Sequence, residues 1–371
     1  MPELPMPPRR RRLWILIVVL VAIPVVAPWI TLPRLRTRTL LALQTGLGRG
    51  VSADAVHLQI FPRPGIELEG VRLEEDPAFG LEEMVVAQDA TATLRWLPLL
   101  RGRLVFAGIH LDQASINLVR NREGRWNISA LLDRDQSPTR TSGVAGAAGQ
   151  HPVRPQFPYL EWSDARVNFK LEQTKTRFYL DQVEGSLVRE SADWRLRARF
   201  QPERTDLNLS NTGELDVDGR WAAAVGGFRQ APFDLTVDLQ NSYLAGSSAL
   251  LAGRDAGVHG IVSARLHLHG TAQRFQVEGT VQAQALRRWD LLPPPATVAC
   301  QFAGAYYPGE DRFELTGAGD PGWRHLRLSG QITNLFTHPS AALRLDLNQY
   351  PAASLLPLAM ALKANLPPGL Q

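Results

Sequence analysis

The chain has 371 residues, with 40 Lys and Arg against 36 Asp and Glu and a formal net charge of +4. Only Lys170, Lys175 and Lys363 are lysines. The arginines are scattered among apolar residues, with no basic stripe interleaved with stacking aromatics, which argues against a nucleic-acid partner. The lone cysteine, Cys300, excludes an intrachain disulfide and a Cys-based zinc site.

Residues 1–12 end in Arg9–Arg12 and read as a cytoplasmic tail. Residues 13–32 follow without a charge. A helix of that length rises ~30 Å, the thickness of a bilayer core, so this segment is predicted to span a membrane. Pro24 and Pro28 are compatible with a membrane helix, and Trp14 and Trp29 stand where indoles favour the interface. The Arg run predicts a cytoplasmic N-terminus. The apolar run is longer than a signal peptide's ~7–15 residues, so an uncleaved anchor is expected.

Residues 33–46 read as a short helix stopped by Gly46, Gly48 and Gly50. From there to residue 132 the period is two: Ile66, Leu68 and Gly70 against Glu67 and Glu69, then Ile116 and Leu118 against Asn117. Residues 133–156 have almost no large apolar side chain and read as a flexible linker. Alternation resumes over 157–347. Trp194, Leu196, Ala198 and Phe200 oppose Arg195, Arg197 and Arg199. The apolar sets continue through Leu235, Val237 and Leu239, then Leu266 and Leu268, Phe275 and Val277, and Phe313 and Leu315. Leu326 and Leu328, and then Leu343, Leu345 and Leu347, complete them. Gly213, Asp218-Gly219, Gly226-Gly227, Gly253, Pro308-Gly309 and Gly330 read as turns. Residues 348–371 form a last segment, helical over 350–364 and interrupted by Pro357, and the final residues read like the start of another segment, as expected of a truncated member of something longer. One-sided strands need a cover: a second sheet, closure into a barrel, or a long curved sheet whose apolar face lines a groove. Periodicity alone does not choose among them.

No catalytic constellation emerges, and neither an enzyme activity nor a cofactor is expected. His267-x-His269 puts two imidazoles on one strand face, but no third ligand is near in sequence. Gly46-x-Gly48-x-Gly50 lacks the context of a phosphate loop. Glu74-Glu75-Asp76 and Glu82-Glu83 read as solvated loop and strand ends, and Asn127-Ile-Ser129 as a chance match to a glycosylation triplet.

The stretch from 46 to 132 carries a specific set of turns. Phe61-Pro62-x-Pro64-Gly65 precedes a strand, followed by Asp76-Pro77-x-Phe79-Gly80 and Leu97-Pro98-Leu99-Leu100-x-Gly102. Ile109-x-Leu111 and Ile116-x-Leu118-Val119-Arg120 then lead to Gly124-x-Trp126-Asn127. In combination these resemble the N-terminal region of the AsmA family. The resemblance implies an inner-membrane protein with its bulk in the periplasm, linked to outer-membrane biogenesis. It implies a mainly β fold, with one N-terminal transmembrane helix followed by a long curved antiparallel sheet. The domains expected are an AsmA-like β domain over 33–132 and a repetitive β-sheet domain over 157–347. The implied ligand is phospholipid, shielded and moved along a hydrophobic groove, with an outer-membrane assembly partner as a further possibility. The groove residues would then be Leu235, Val237, Leu239, Leu266, Leu268, Phe275, Val277, Phe313 and Leu315, which ordinary core packing would explain equally well. The alternative is an assembly module whose β domains are closed.

Overall fold

The structure, a computed structural model, describes residues 33–59, 64–95, 97–98, 105–129, 159–190, 193–209, 211–222, 230–288, 292, 297–319, 326–334 and 340–348. The expected tail, membrane span, linker and helix over 350–364 lie outside them, as do Phe61, Pro62 and Gly102. Among the described residues no helix is long and apolar enough to cross a membrane.

Helix α1 (Pro33–Leu47) opens the described chain. Leu40, Leu43 and Leu47 recur at helical spacing, and they belong to or pack against the apolar cluster that includes Val51 and Val56 at the start of the sheet. The first strands are β1 (Val51–Ser52), β2 (Ala55–Gln59), β3 (Gly65–Leu73), β4 (Val85–Leu94) and β5 (Phe106–Arg120). Next come β6 (Tyr159–Leu171), β7 (Thr174–Glu190), β8 (Asp193–Arg204), β9 (Glu214–Ala222) and β10 (Phe233–Tyr243). Helix α2 (Leu244–Ala252) precedes β11 (Val258–Thr271), β12 (Arg274–Arg288), β13 (Val298–Tyr307), β14 (Arg312–Gly319), β15 (Leu326–Thr333) and β16 (Ser340–Leu347).

All sixteen strands join one long, curved, open sheet in chain order, with β1 and β2 both paired to β3. Of the three architectures that periodicity leaves open, this is the third. The expectation of an antiparallel sheet needs one correction: β5 and β6 pair in parallel, Ile109 opposite Leu160 and Leu118 opposite Phe169. Residues 121–158 separate these two strands. A parallel pair needs such a long crossover, whereas the tight hairpins after β6 require antiparallel neighbours. The sheet coils enough that Arg120, ending β5, donates to the Pro308 carbonyl between β13 and β14 at 3.3 Å.

A crease runs across the N-terminal strands. Ile66 and Leu68 give way to Val71 and Leu73 on the buried side, a change of parity across Gly70 (φ 59°). Gly70 was expected on the apolar face; it is the kink instead. The same change occurs across Gln113 (φ 48°), Asp164 (φ 47°) and Gln182 (φ 50°). These positions fall in line, as the flanking registers show: Val71 opposite Ala87, Ala87 opposite Ala114, and Ala165 opposite Val183. Each left-handed residue re-aims the following side chains, so one face stays apolar while the strands bend.

Two glycines read as turns lie inside strands. A Cβ on Gly219 would sit 2.6 Å from the Asp234 carbonyl oxygen, and one on Gly330 would sit 2.1 Å from that of Ala342. Both serve close approach between strands. Gly253 does end a helix, α2, in the left-handed conformation (φ 75°), and Pro308-Gly309 does turn a hairpin.

Candidate functional site: the apolar face of the sheet

Residues directly opposite each other on paired strands share a face. Following the registers from strand to strand gives an unbroken line: Leu58, Ile66, Ala92, Ile109, Leu160, Leu187, Leu196, Gly219, Leu235, Leu268, Val277, Gly304, Leu315, Gly330 and Leu343. It crosses from β2 to β16 without one polar side chain. A second line runs beside it through Val56, Leu68, Leu111, Trp162, Val217, Val237, Leu266, Phe302, Leu328 and Leu345, with Ala or Gly at the strands between.

A third line is aromatic. Trp194, Trp221, Phe233, Phe275, Tyr306 and Phe313 succeed one another from β8 to β14, with Gly270 between the two central phenylalanines. Trp194 stacks on Trp221 at 6.3 Å, and Phe275 lies 5.4 Å from Phe233 and 5.3 Å from Tyr306. This line borders the hairpin side of the sheet, next to the turns at 272–273 and 308–311. Tyr306 donates to Asp311 at 2.8 Å, and its burial pushes the phenol pKa well above the ordinary value. Arg274 and Arg312 stand over the adjacent Tyr307 ring.

Cover varies along the lines. Ile66 and Leu68 are 0% and 1% exposed, sealed with α1 and the strands up to β7 into one core. From β10 to β14 most of the corresponding side chains are half-buried. At β16, Leu343 and Leu345 are 46% and 55% exposed. The same two lines therefore pass from a closed core to an open apolar surface.

The opposite face is charged. Arg197 and Arg199 pair with Asp218 and Asp216, Arg265 with Asp238, and His267 with Asp234 at 3.0 Å. His267 and His269 stack at 5.1 Å on this face, and no cluster of three metal-ligating groups occurs among the described residues. A cleft of about 500 Å³ lies here, beside the crease, between His110, Glu161, Ser163, Glu184 and the Arg–Asp pairs. Ser163 Oγ is 3.2 Å from His110 Nε2, but it donates to Asp112 at 2.6 Å, so its proton is already held by a carboxylate.

A family model described as AsmA family matches residues 12–195. The chain belongs to the AsmA family. No curated protein and no solved structure matches it.

Within the AsmA stretch the structure gives several motif residues physical work. Asn127 is fully buried: it accepts from Val119 N–H at 3.1 Å, and it donates to the Asn117 carbonyl at 2.8 Å and to Glu75. Arg49 completes the group, pairing with Glu75 and donating to the Asn127 carbonyl at 3.0 Å. The Glu75 side chain is 2% exposed, so the reading of this acidic cluster as solvated fails at Glu75. Helix exit, acidic loop and the turn after β5 are thus pinned together, with no room for a glycan on Asn127. Gly124 (φ 73°) makes the turn, and Trp126 meets Phe169 edge-on at 6.4 Å. Pro64 accepts from Leu94 N–H as Gly65 starts β3. Pro98 is half-buried beside Leu97, which is 72% exposed.

The nine groove candidates all lie on β10–β14, beyond the AsmA match, and share one face through the registers above. Sequence reasoning missed the lines' aromatic border, because Trp194, Trp221, Phe233 and Tyr306 are brought together only by strand pairing. It also missed α2, whose Leu-Ala-Gly-Ser-Ser-Ala-Leu-Leu-Ala has no polar stripe to mark a surface helix.

Proposed function

We propose that this AsmA-family protein holds phospholipid on the apolar face of its sheet and shields the acyl chains from water while the lipid moves. It acts as a conduit rather than a catalyst, anchored in the inner membrane through residues 13–32, with its body in the periplasm and its task in outer-membrane biogenesis. The observation that carries the reading is the pair of apolar lines that open from sealed to half-exposed without a polar interruption. Four apolar positions per strand, such as Phe233 to Leu239, give a face roughly 20 Å wide, enough for a tail that fills half of a ~30 Å bilayer core. Fifteen strands give a path roughly 70 Å long before twist shortens it. Each methylene taken from water contributes about 0.8 kcal/mol, so an uncovered face of this size favours an aliphatic ligand.

Native mass spectrometry of residues 33–371, expressed without the anchor, tests this. Bound phospholipid is expected, and Leu268→Asp should remove most of it while circular dichroism shows the sheet intact. A folded body that carries no lipid and takes up none when it is added would contradict the proposal and favour a module that supports assembly through closed surfaces.

A further inference from the structure

The two ends of the sheet are treated differently. At the β1–β2 end, α1 packs against the edge, and its side chains take up backbone carbonyls: Arg36 donates to Ala53 O at 2.8 Å and Gln44 to Val51 O at 3.2 Å. At the other end, among the described residues, β16 pairs with β15 on one side only, and every side chain from Ser340 to Asp346 is exposed. No proline or lysine interrupts the strand. Such an edge presents unpaired backbone groups and invites a further strand.

The sequence of β16 indicates which strand. Ala341, Leu343, Leu345 and Leu347 alternate with Ala342, Arg344 and Asp346. Arg344 and Asp346 already form an ion pair at 2.9 Å along their shared face, with both side chains largely in solvent. In an antiparallel pair of two β16 strands centred on Leu345, Leu345 faces its own copy, Leu343 faces Leu347, and Arg344 faces Asp346 twice. All four charges then alternate in sign, and the apolar line that ends at Leu345 continues into its own copy across the seam. Centring on Arg344 would set Arg344 against itself, and like charges directly opposite are destabilising.

We propose that β16 is a dimerisation edge, through which two copies of this chain join antiparallel about a two-fold axis at Leu345 into one continuous sheet. The interface is isologous, as the strand is its own complement. The inference uses the edge alone and does not depend on lipid.

Sedimentation of the full chain in detergent micelles tests it. The wild type should be a dimer. Arg344→Asp should weaken association at least tenfold, and the swap Arg344→Asp with Asp346→Arg should restore it. In a Cys300→Ala background, Leu345→Cys should oxidise to a covalent dimer, because the two positions are directly opposite. Leu343→Cys should not, since the two copies of that residue would lie ~13 Å apart along the strands. A monomeric wild type, a dimer indifferent to Arg344→Asp, or equal cross-linking from both cysteines would overturn the proposal. Both charge positions are exposed on one edge strand, so circular dichroism of the variants should match the wild type.

Discussion

At the residue scale, the clearest energetic commitment is the Arg49–Glu75–Asn127 group. Glu75→Ala would leave the nearly enclosed Arg49 cation without its carboxylate, and removing one partner of a buried pair costs about 3 kcal/mol or more. Asn127→Ala would strand the Val119 amide and should cost about 1–3 kcal/mol. Urea unfolding of both variants measures these losses. A second pair gives a pH dependence. The hydrogen bond from Lys170, followed by its charge, holds the Glu82 carboxyl below the usual carboxylate range. The Lys170 side chain is buried while the carboxylate is in solvent. A depressed folded pKa contributes stability above the unfolded value, near 4.5, which is lost as the pH falls through the folded one. The Lys170→Met variant should therefore show a higher Glu82 titration midpoint by NMR and lose less stability than the wild type on acidification below pH 4.5.

At the scale of elements, the strands were legible wherever alternation is uninterrupted. Trp194 to Phe200 falls as its pattern requires, and so do the apolar sets of β10 to β14. The crease was hidden because a single left-handed residue shifts the phase: Ile66 and Leu68 continue as Val71 and Leu73, which a fixed period of two cannot follow. Glycine in strands misled for a related reason. Gly219 and Gly330 lack side chains because the neighbouring strand is close, which looks the same in sequence as a turn. The parallel β5–β6 pairing left no local signal, since it is fixed by where residues 121–158 return the chain. The crease makes its own prediction. Gln113 holds a left-handed conformation that costs an ordinary residue roughly 1 kcal/mol, so Gln113→Gly should leave stability unchanged or raise it by up to that amount. Gln113→Val should lower it, because a branched side chain fits that conformation poorly. Thermal unfolding of the two variants decides the sign.

At the scale of the whole molecule, the sheet has direction. Among the described residues it begins in a sealed core under α1, within the AsmA match, and ends at an edge where Leu343 and Leu345 face water. Periodicity supplied the one-sidedness of the strands, and family resemblance supplied the expectation of a groove. Neither supplied the continuity of the lines, which exists only once every register is known. The charged face, with its Arg–Asp pairs and its cleft, is the built-in contrast: the same strands present the opposite chemistry a few ångströms away. Any lipid contact confined to one face can therefore be measured against the other.

That comparison is the most direct measurement. A photoreactive benzophenone amino acid placed at Val237, Leu268 or Leu315, in the full chain expressed in cells, should cross-link to phospholipid. The same probe at Thr236, His267 or Glu314, on the charged face of the same strands, should give little or no adduct. Equal labelling from both faces, or none from the apolar one, would contradict the account.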